Sequence, residues 1–337
     1  MKQILRITEL QSEDFHLDRP LFFACREDRE RFCESTVSGE GRVYKCLNLN
    51  KFKQEFSMAC RNQLTRRQII NFEIAETNKV FLQNCQKNIK ETNCFRPNLA
   101  SKNEYIALSA VMLCLESAEK DRFSLESKCK ADLIDHRKML MEDYQLSPNI
   151  VTSCEEEINK LCNGGIERNS KTLHCLFGAM MKASSDINLK NSVSQRCSSE
   201  IGLFMKLVNP AENINLDPSL SKACQNLLID GPCKNLQSDH GSMVECLTRQ
   251  LGSLEMSDEC TERLLEIQFF VVRDWTLNSE FYKNCHADAV NFCQAPNEWY
   301  SPKNVTQLGK GMVLPCLYHH MSESDAEIGS EYYVRII

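Results

Sequence analysis

No stretch of this sequence approaches the roughly 18 to 20 consecutive apolar residues that a membrane-spanning helix needs. The longest candidate, Leu264 to Val272, is interrupted by Glu266 and Gln268, so no transmembrane segment is expected here. The first residues, Met1 to Gln11, lack the apolar stretch and small-residue cleavage site of a signal peptide. A chain bound for the secretory pathway would then take its address from outside this sequence, which reads as an excerpt. Aromatic residues are scarce, at 8% against 42% apolar residues in all; several small cores fit that balance better than one large one. Lys and Arg are scattered among the acids, the formal charge is −6, and no basic stripe is available for a phosphate backbone, which excludes nucleic acid as a partner.

Catalytic and metal signatures are missing too. There is no Cys-x-x-Cys, His-x-x-x-His or His-Glu-x-x-His spacing. His319 and His320, close to Cys316, are adjacent and so point to different helix faces, which reads as solvated rather than ligating. No Gly-x-Ser-x-Gly elbow or glycine-rich phosphate loop occurs, and Cys162-Asn-Gly-Gly165 reads as a helix stop. No catalytic residue, no metal site and no cofactor is expected, and the chain is not read as an enzyme.

What the sequence does have is cysteine, 19 in 337 residues, far more than a reducing compartment favours. The cysteines fall into five groups: Cys25, Cys33, Cys46 and Cys60; Cys85, Cys94, Cys114 and Cys129; Cys154, Cys162, Cys175 and Cys197; Cys224, Cys233, Cys246 and Cys260; and Cys285, Cys293 and Cys316. The near-constant spacing marks internal repeats. It divides the chain into units at 12–70, 71–139, 140–209 and 210–270, an incomplete fifth at 271–322, and a tail at 323–337.

Other residues keep the same register. Seven positions before each first cysteine stands Asp18, Asn78, Ser147, Asp217 or Asn278, all types that accept a hydrogen bond from a helix start. Pro148 and Pro218 follow two of them, at the helical position that tolerates a missing N–H. Leucine precedes four of them (Leu17, Leu146, Leu216, Leu277), and in three it is placed to staple onto Phe22, Val151 or Tyr282. One helix is therefore expected from each cap to near the second cysteine, where Gly164 and Gly165, or Gly231 and Pro232, supply stop signals.

A second helix carries the third cysteine and the leucine that always follows it (Leu47, Leu115, Leu176, Leu247, Leu317). In the second repeat its start reads as a capping box at Ser101 to Glu104, ahead of Ile106, Val111, Met112 and Leu115. A third begins near the fourth cysteine, with Leu64, Leu133, Ile201 or Leu264 one turn on. The fold class is all-α, an extended array of tandem three-helix repeats stapled by disulfides, since units this small bury too little to stand comfortably alone. Seven or eight residues separate first and second cysteines, about 12 Å on one helix at 1.5 Å per residue, so these two cannot pair. One-three with two-four, and one-four with two-three, both remain open, as do bonds between repeats. In the fifth group Cys285, Cys293 or Cys316 must be unpaired or bonded elsewhere.

The segment Ala-Cys25-Arg-Glu-Asp-Arg-Glu-Arg-Phe-Cys33, followed by Cys46-Leu47 and a basic helix after Cys60, resembles the cysteine-rich repeat of the Golgi apparatus protein 1 family. The resemblance runs from Leu10 to about Tyr318. It implies the luminal array of a type I Golgi membrane glycoprotein, with fibroblast growth factors as secreted protein ligands, selectin-type receptors engaged through glycans, and a trafficking role. On that reading the chain is a binding scaffold. The competing reading is a disulfide-rich helical carrier of lipid or small apolar ligands, for which Leu203 to Val208 and Ile267 to Val272 are the candidate faces; a twin-cysteine protein of the mitochondrial intermembrane space fits the four-cysteine period less well.

Asn304-Val305-Thr306 is an N-glycosylation acceptor in the longest gap of the fifth repeat, whereas Asn291-Phe292-Cys293 sits on a helix and is not expected to be used. The acids Glu27, Asp28, Glu155 and Glu156, just behind first cysteines, are candidates for attracting a basic ligand, set against the plainer reading of a solvated face.

Overall fold

The computed structural model describes residues 7, 10–11, 14–95, 106–165, 170–189, 191–234, 236, 241–300 and 311–321. Among these are seventeen α-helices, six short 3-10 turns and no β-strand. The capping-box positions Ser101 to Glu104, the acceptor Asn304 and the tail lie outside the described residues. The chain divides into two compact units, Met1–Thr152 and Ser153–Ile337.

The expected caps sit at helix starts. Asp18 accepts from the Leu21 N–H, Asn78 from Phe81, Asp217 from Ser219 and Leu220, and Asn278 from Phe281. Ser147 holds the same place ahead of Pro148, with its carbonyl accepting from the Val151 N–H. Ahead of every cap runs a 3-10 turn: Phe15–Leu17, Ala75–Thr77, Tyr144–Leu146, Ile214–Leu216 and Trp275–Leu277. Its leading residue is buried all five times. In four of the five the residue before it (Asp14, Asp143, Asn213, Asp274) turns its side chain onto the N–H two positions on, the local bond that makes Asp and Asn good turn formers.

This turn replaces part of the expected staple. Leu17 and Val151 are exposed, at 51% and 38%, and it is the buried Phe15 ring that packs on Phe22, 5.4 Å between centroids. In the fifth repeat Leu277 and Tyr282 are both buried and Trp275 lies 5.2 Å from Tyr282. In the first repeat the apolar anchor is the head of the turn, whereas Leu146, Leu216 and Leu277 at the end of theirs are buried together with it.

First helices run unbroken over Arg19–Cys33 and Ser279–Cys293. In the middle repeats each is interrupted at its first cysteine, giving Lys79–Asn84 with Gln86–Thr92, Pro148–Ser153 with Glu155–Leu161, and Pro218–Ala223 with Gln225–Ile229. This departs from the single helix expected. Cys85, Cys154 and Cys224 have ψ of 6°, 16° and 12°, in the sparsely populated bridge region. Hydrogen bonding continues through the step, Cys85 N–H to Phe81 at 2.9 Å and Ile89 N–H to Cys85 at 2.9 Å, so each interruption is a one-residue kink.

Second helices span Arg42–Asn50, Leu108–Lys120, Lys171–Ser185, Ser242–Arg249 and Val313–Met321, and third helices Met58–Glu73, Ser127–Glu142, Gln195–Val208 and Asp258–Arg273. In the second repeat the second helix starts only at Leu108, because Ile106 is drawn aside: its carbonyl accepts the Ala75 N–H of the 3-10 turn at 2.9 Å. The leucines after the third cysteines and the apolar residues one turn past the fourth are all buried. Together with the cysteines they form each core, as in the first repeat, where Leu21, Val43, Leu47, Phe56 and Leu64 surround Cys25 and Cys60.

First cysteines pair with fourth and second with third. The long loops are closed by Cys25–Cys60, Cys85–Cys129, Cys154–Cys197 and Cys224–Cys260, the short ones by Cys33–Cys46, Cys94–Cys114, Cys162–Cys175, Cys233–Cys246 and Cys293–Cys316. Cys285 is free and buried. Burial, followed by the charge of Asp288, pushes its thiol up to about 11, so it is held as the unreactive neutral form.

Candidate functional site

Several charged side chains that enter the interior are engaged with polar partners there. In the first unit Lys51 Nζ lies 2.7 Å from Asp143 Oδ2 and 2.7 Å from Gln68 Oε1, with Thr65 Oγ1 3.2 Å from the same carboxylate. Lys51 and Asp143 are 2% and 1% exposed. Arg137 and Glu116 form a second buried pair at 2.8 Å. In the second unit Lys206 Nζ donates to Thr276 Oγ1 at 2.9 Å, stands 3.6 Å from Asp274 and lies 4.8 Å over the buried Trp299 ring. Burial lowers its proton affinity against the raising effect of Asp274. Asp143 and Asp274 are the same position, the residue opening the 3-10 turn, so in both units a lysine is buried against the entry to a later repeat.

The acids just behind the first cysteines separate into two kinds. Glu27, Glu155 and Glu156 are exposed, Glu156 in a one-turn pair with Lys160 at 2.7 Å. Asp28 is not a surface acid: it is 2% exposed and accepts both the Ser57 N–H, at 3.0 Å, and the Ser57 hydroxyl. Asn88 and Glu157 do the same for the N–H of Glu126 and Ser194, at 3.2 and 2.8 Å. Burial works to raise the Glu157 carboxyl, but the bonds from the Ser194 backbone and hydroxyl hold it below the usual range. In the first three repeats the residue three after the first cysteine is therefore a docking position for the start of the third helix, while the fourth repeat has Leu227 there; Ser57, Ser194 and Ser257 in turn cap the N–H of the fourth cysteine. This was visible in the sequence as polar residues at 28, 88 and 157 and serines at 57, 194 and 257, a register the cysteines themselves define. Replacing Asp28 by Ala leaves the Ser57 N–H without its acceptor and is expected to cost about 1–3 kcal/mol; a urea midpoint indistinguishable from wild type would contradict that role.

Clefts open to ligands occur among the described residues. One of about 590 Å³ is lined by Leu161, Lys171, Lys182, Glu259, Glu262 and Arg263; another of about 350 Å³ includes Met205, Phe269, Phe270 and Arg273; and one of about 190 Å³ includes Tyr44, Asn71, Phe72, Asn78, His136 and Glu142. The apolar stretches considered for a carrier are mainly core: Phe204, Met205, Leu207, Val208, Ile267 and Phe270 are buried, though Val272 is 53% exposed. Among the described residues no group of three or more His, Cys, Asp or Glu side chains is placed to hold a metal, and no helix is long and apolar enough to cross a membrane. His319 and His320 pack beside each other, His320 against Phe292.

The family model described as "Cysteine rich repeat" matches residues 1–55, 127–184, 195–255 and 258–325. Golgi apparatus protein 1 of Rattus norvegicus and that of Homo sapiens are each 37% identical over 326 residues, which is 97% of this chain and 27% of theirs. The Golgi apparatus protein 1 homolog of Caenorhabditis elegans is 34% identical over 324 residues, 94% of this chain and 28% of its own length. The chain thus spans little more than a quarter of the length of the curated relatives it matches. No solved structure matches it. The family-model segments carry the cysteines, caps and leucines of the third, fourth and fifth repeats, the relatives align over nearly the whole chain, and the chain belongs to the cysteine rich repeat family that includes Golgi apparatus protein 1.

Proposed function

We propose that this chain is a luminal binding scaffold of the Golgi and secretory pathway, and not an enzyme, whose exposed first-helix acids help attract basic secreted ligands of the fibroblast growth factor class. The observation that carries this reading is the division of its acids. Asp28, Asp143, Glu157, Asp217 and Glu266 are buried in structural bonds, while Glu27, Glu155 and Glu156 remain in solvent on the helix that recurs in every repeat. Small tandem units present outer helix faces in each repeat, which suit protein ligands. Nine disulfides agree with an oxidising lumen, and the Golgi assignment follows the name of the relatives. We place glycan-mediated contact with selectin-type receptors at Asn304, and the repeat limits at the sequence intervals given above.

Charge in this arrangement steers encounter more than it sets final affinity. Surface plasmon resonance on enzymatically deglycosylated chain should show binding of a basic fibroblast growth factor that weakens as salt rises past physiological strength, where the screening length is about 8 Å. Glu155→Lys with Glu156→Lys should slow association several-fold and change dissociation little. Salt-insensitive binding, or binding that vanishes with the glycans, would remove the electrostatic account.

A further inference from the structure

Two buried histidines each touch the residue that caps a first helix, and the two caps differ by one chemical group. His174 meets the carboxylate of Asp217. His136 meets the amide of Asn78, whose Nδ2 lies 2.7 Å from the ring Nε2, while Nδ1 lies 2.7 Å from the Asp132 carbonyl. Asn78 is not free to turn, since its oxygen accepts the Phe81 N–H that begins helix Lys79–Asn84. A carbonyl can only accept, so Nδ1 carries the proton; an NH2 group can only donate, so Nε2 offers its lone pair. The fold therefore holds His136 neutral.

The groups around this ring are few. Its own helix contributes Asp132, whose carboxylate accepts from Asn84 at 2.7 Å, and Asp135, paired with Lys45 of the first repeat at 2.5 Å. Phe72 and Phe81 meet the ring edge to face. Glu40, Arg42, Lys138 and Glu142 line the cleft of about 190 Å³ that His136 and Asn78 share. Burial lowers the proton affinity of His136, and Lys45 adds to this, against the raising effects of the Asp132 carbonyl and the charges of Asp132 and Asp135.

We propose that His136 and Asn78 form an acid-operated latch on the first helix of the second repeat. A proton on Nε2 sets N–H against NH2. The conflict is relieved when the Asn78 amide turns over, which offers its oxygen to the imidazolium and withdraws it from the Phe81 N–H. Acid thus uncaps helix Lys79–Asn84, and with it one wall of the cleft. The Asp217 carboxylate accepts from His174 and from the Ser219 and Leu220 N–H groups together, so the same acid leaves the fourth repeat closed. The identity of one capping residue decides which repeat yields.

Hydrogen exchange on the whole oxidised chain, corrected for intrinsic rates, tests this from about pH 7.5 down to about pH 4.5, because burial moves the protonation of His136 below the ordinary histidine range near 6.5. Amides from Phe81 to Cys85 should lose protection about 2- to 30-fold on acidification, the worth of a helix cap, while those from Leu220 to Cys224 hold theirs. Asn78→Asp keeps a cap of the kind used at Asp18 and Asp217 and gives the imidazolium an acceptor, so the acid loss should disappear. His136→Phe keeps the ring contacts without a titrating nitrogen and should abolish it as well. Unchanged protection of Phe81 to Cys85 in acid, or an equal loss in both variants, would overturn the latch.

Discussion

Complete reduction of the nine disulfides should unfold the chain, with loss of its cooperative melt and most of its helical circular dichroism. The loops they close run from 13 residues at Cys33–Cys46 to 44 at Cys85–Cys129, worth about 3 and about 4 kcal/mol respectively when loop-closure entropy is the measure. Four such bridges in the first unit alone match or exceed the whole stability of an ordinary domain, about 5–15 kcal/mol. The effect should be graded by position. Cys154→Ala with Cys197→Ala opens a 43-residue loop inside a fully buried core, and should cost more than Cys162→Ala with Cys175→Ala, which opens 13 residues, by about 1 kcal/mol from the loop difference alone. Urea unfolding of the two double variants gives the comparison. An unchanged melting temperature after every thiol has been labelled would remove the disulfides from the account of stability.

The repeat, its caps and its three-helix composition were legible because each rests on short-range chemistry. Asp18, Asn78, Ser147, Asp217 and Asn278 stand at one offset from a cysteine, and residues of that kind seek free N–H groups wherever they stand. The one-residue kinks at Cys85, Cys154 and Cys224 were not legible, since no proline or glycine marks them. Nor was the late start of the helix at Leu108, which depends on Ile106 bonding to Ala75 thirty-one positions away. For the candidate surface the same divide holds. Glu27 and Asp28 look alike in sequence, yet one faces water and the other receives Ser57. A helix has one face for the core, and which of two neighbouring acids falls on it is settled by the partner helix. The buried lysines were missed for a related reason: Lys51 and Asp143 are 92 positions apart, and only tertiary packing against the entry to a later repeat brings them together.

Asp217→Ala is expected to destabilise the second unit by about 3–5 kcal/mol, the range for breaking a buried charge pair, well beyond the 0.5–2 kcal/mol that loss of a cap alone would cost. The excess comes from His174, whose Nε2 lies 3.0 Å from Asp217 Oδ2 while Nδ1 lies 2.6 Å from Glu266 Oε2. Glu266 is held in turn by Arg263 at 2.7 Å. With a carboxylate at each nitrogen the ring carries both protons. Burial opposes that charge, but Asp217 and Glu266 prevail and hold the imidazole up at about 9. A folded-state value above the unfolded one, near 6.5, means that folding takes up a proton. The contribution is therefore complete below about pH 6.5 and is lost as pH rises through about 9. Wild-type stability should accordingly fall on the alkaline side, and Asp217→Ala should flatten that fall. Asp217→Asn isolates the charge, since Asn caps helices about as well as Asp: it should keep the cap, lose most of the pair, and shift the dependence toward acid sensitivity of the kind expected where Asn78 faces His136. Denaturant midpoints at neutral and alkaline pH for the three proteins decide the matter. A cost for Asp217→Ala no larger than an ordinary cap, with the alkaline profile of wild type intact, would show that His174 does not draw its charge from Asp217.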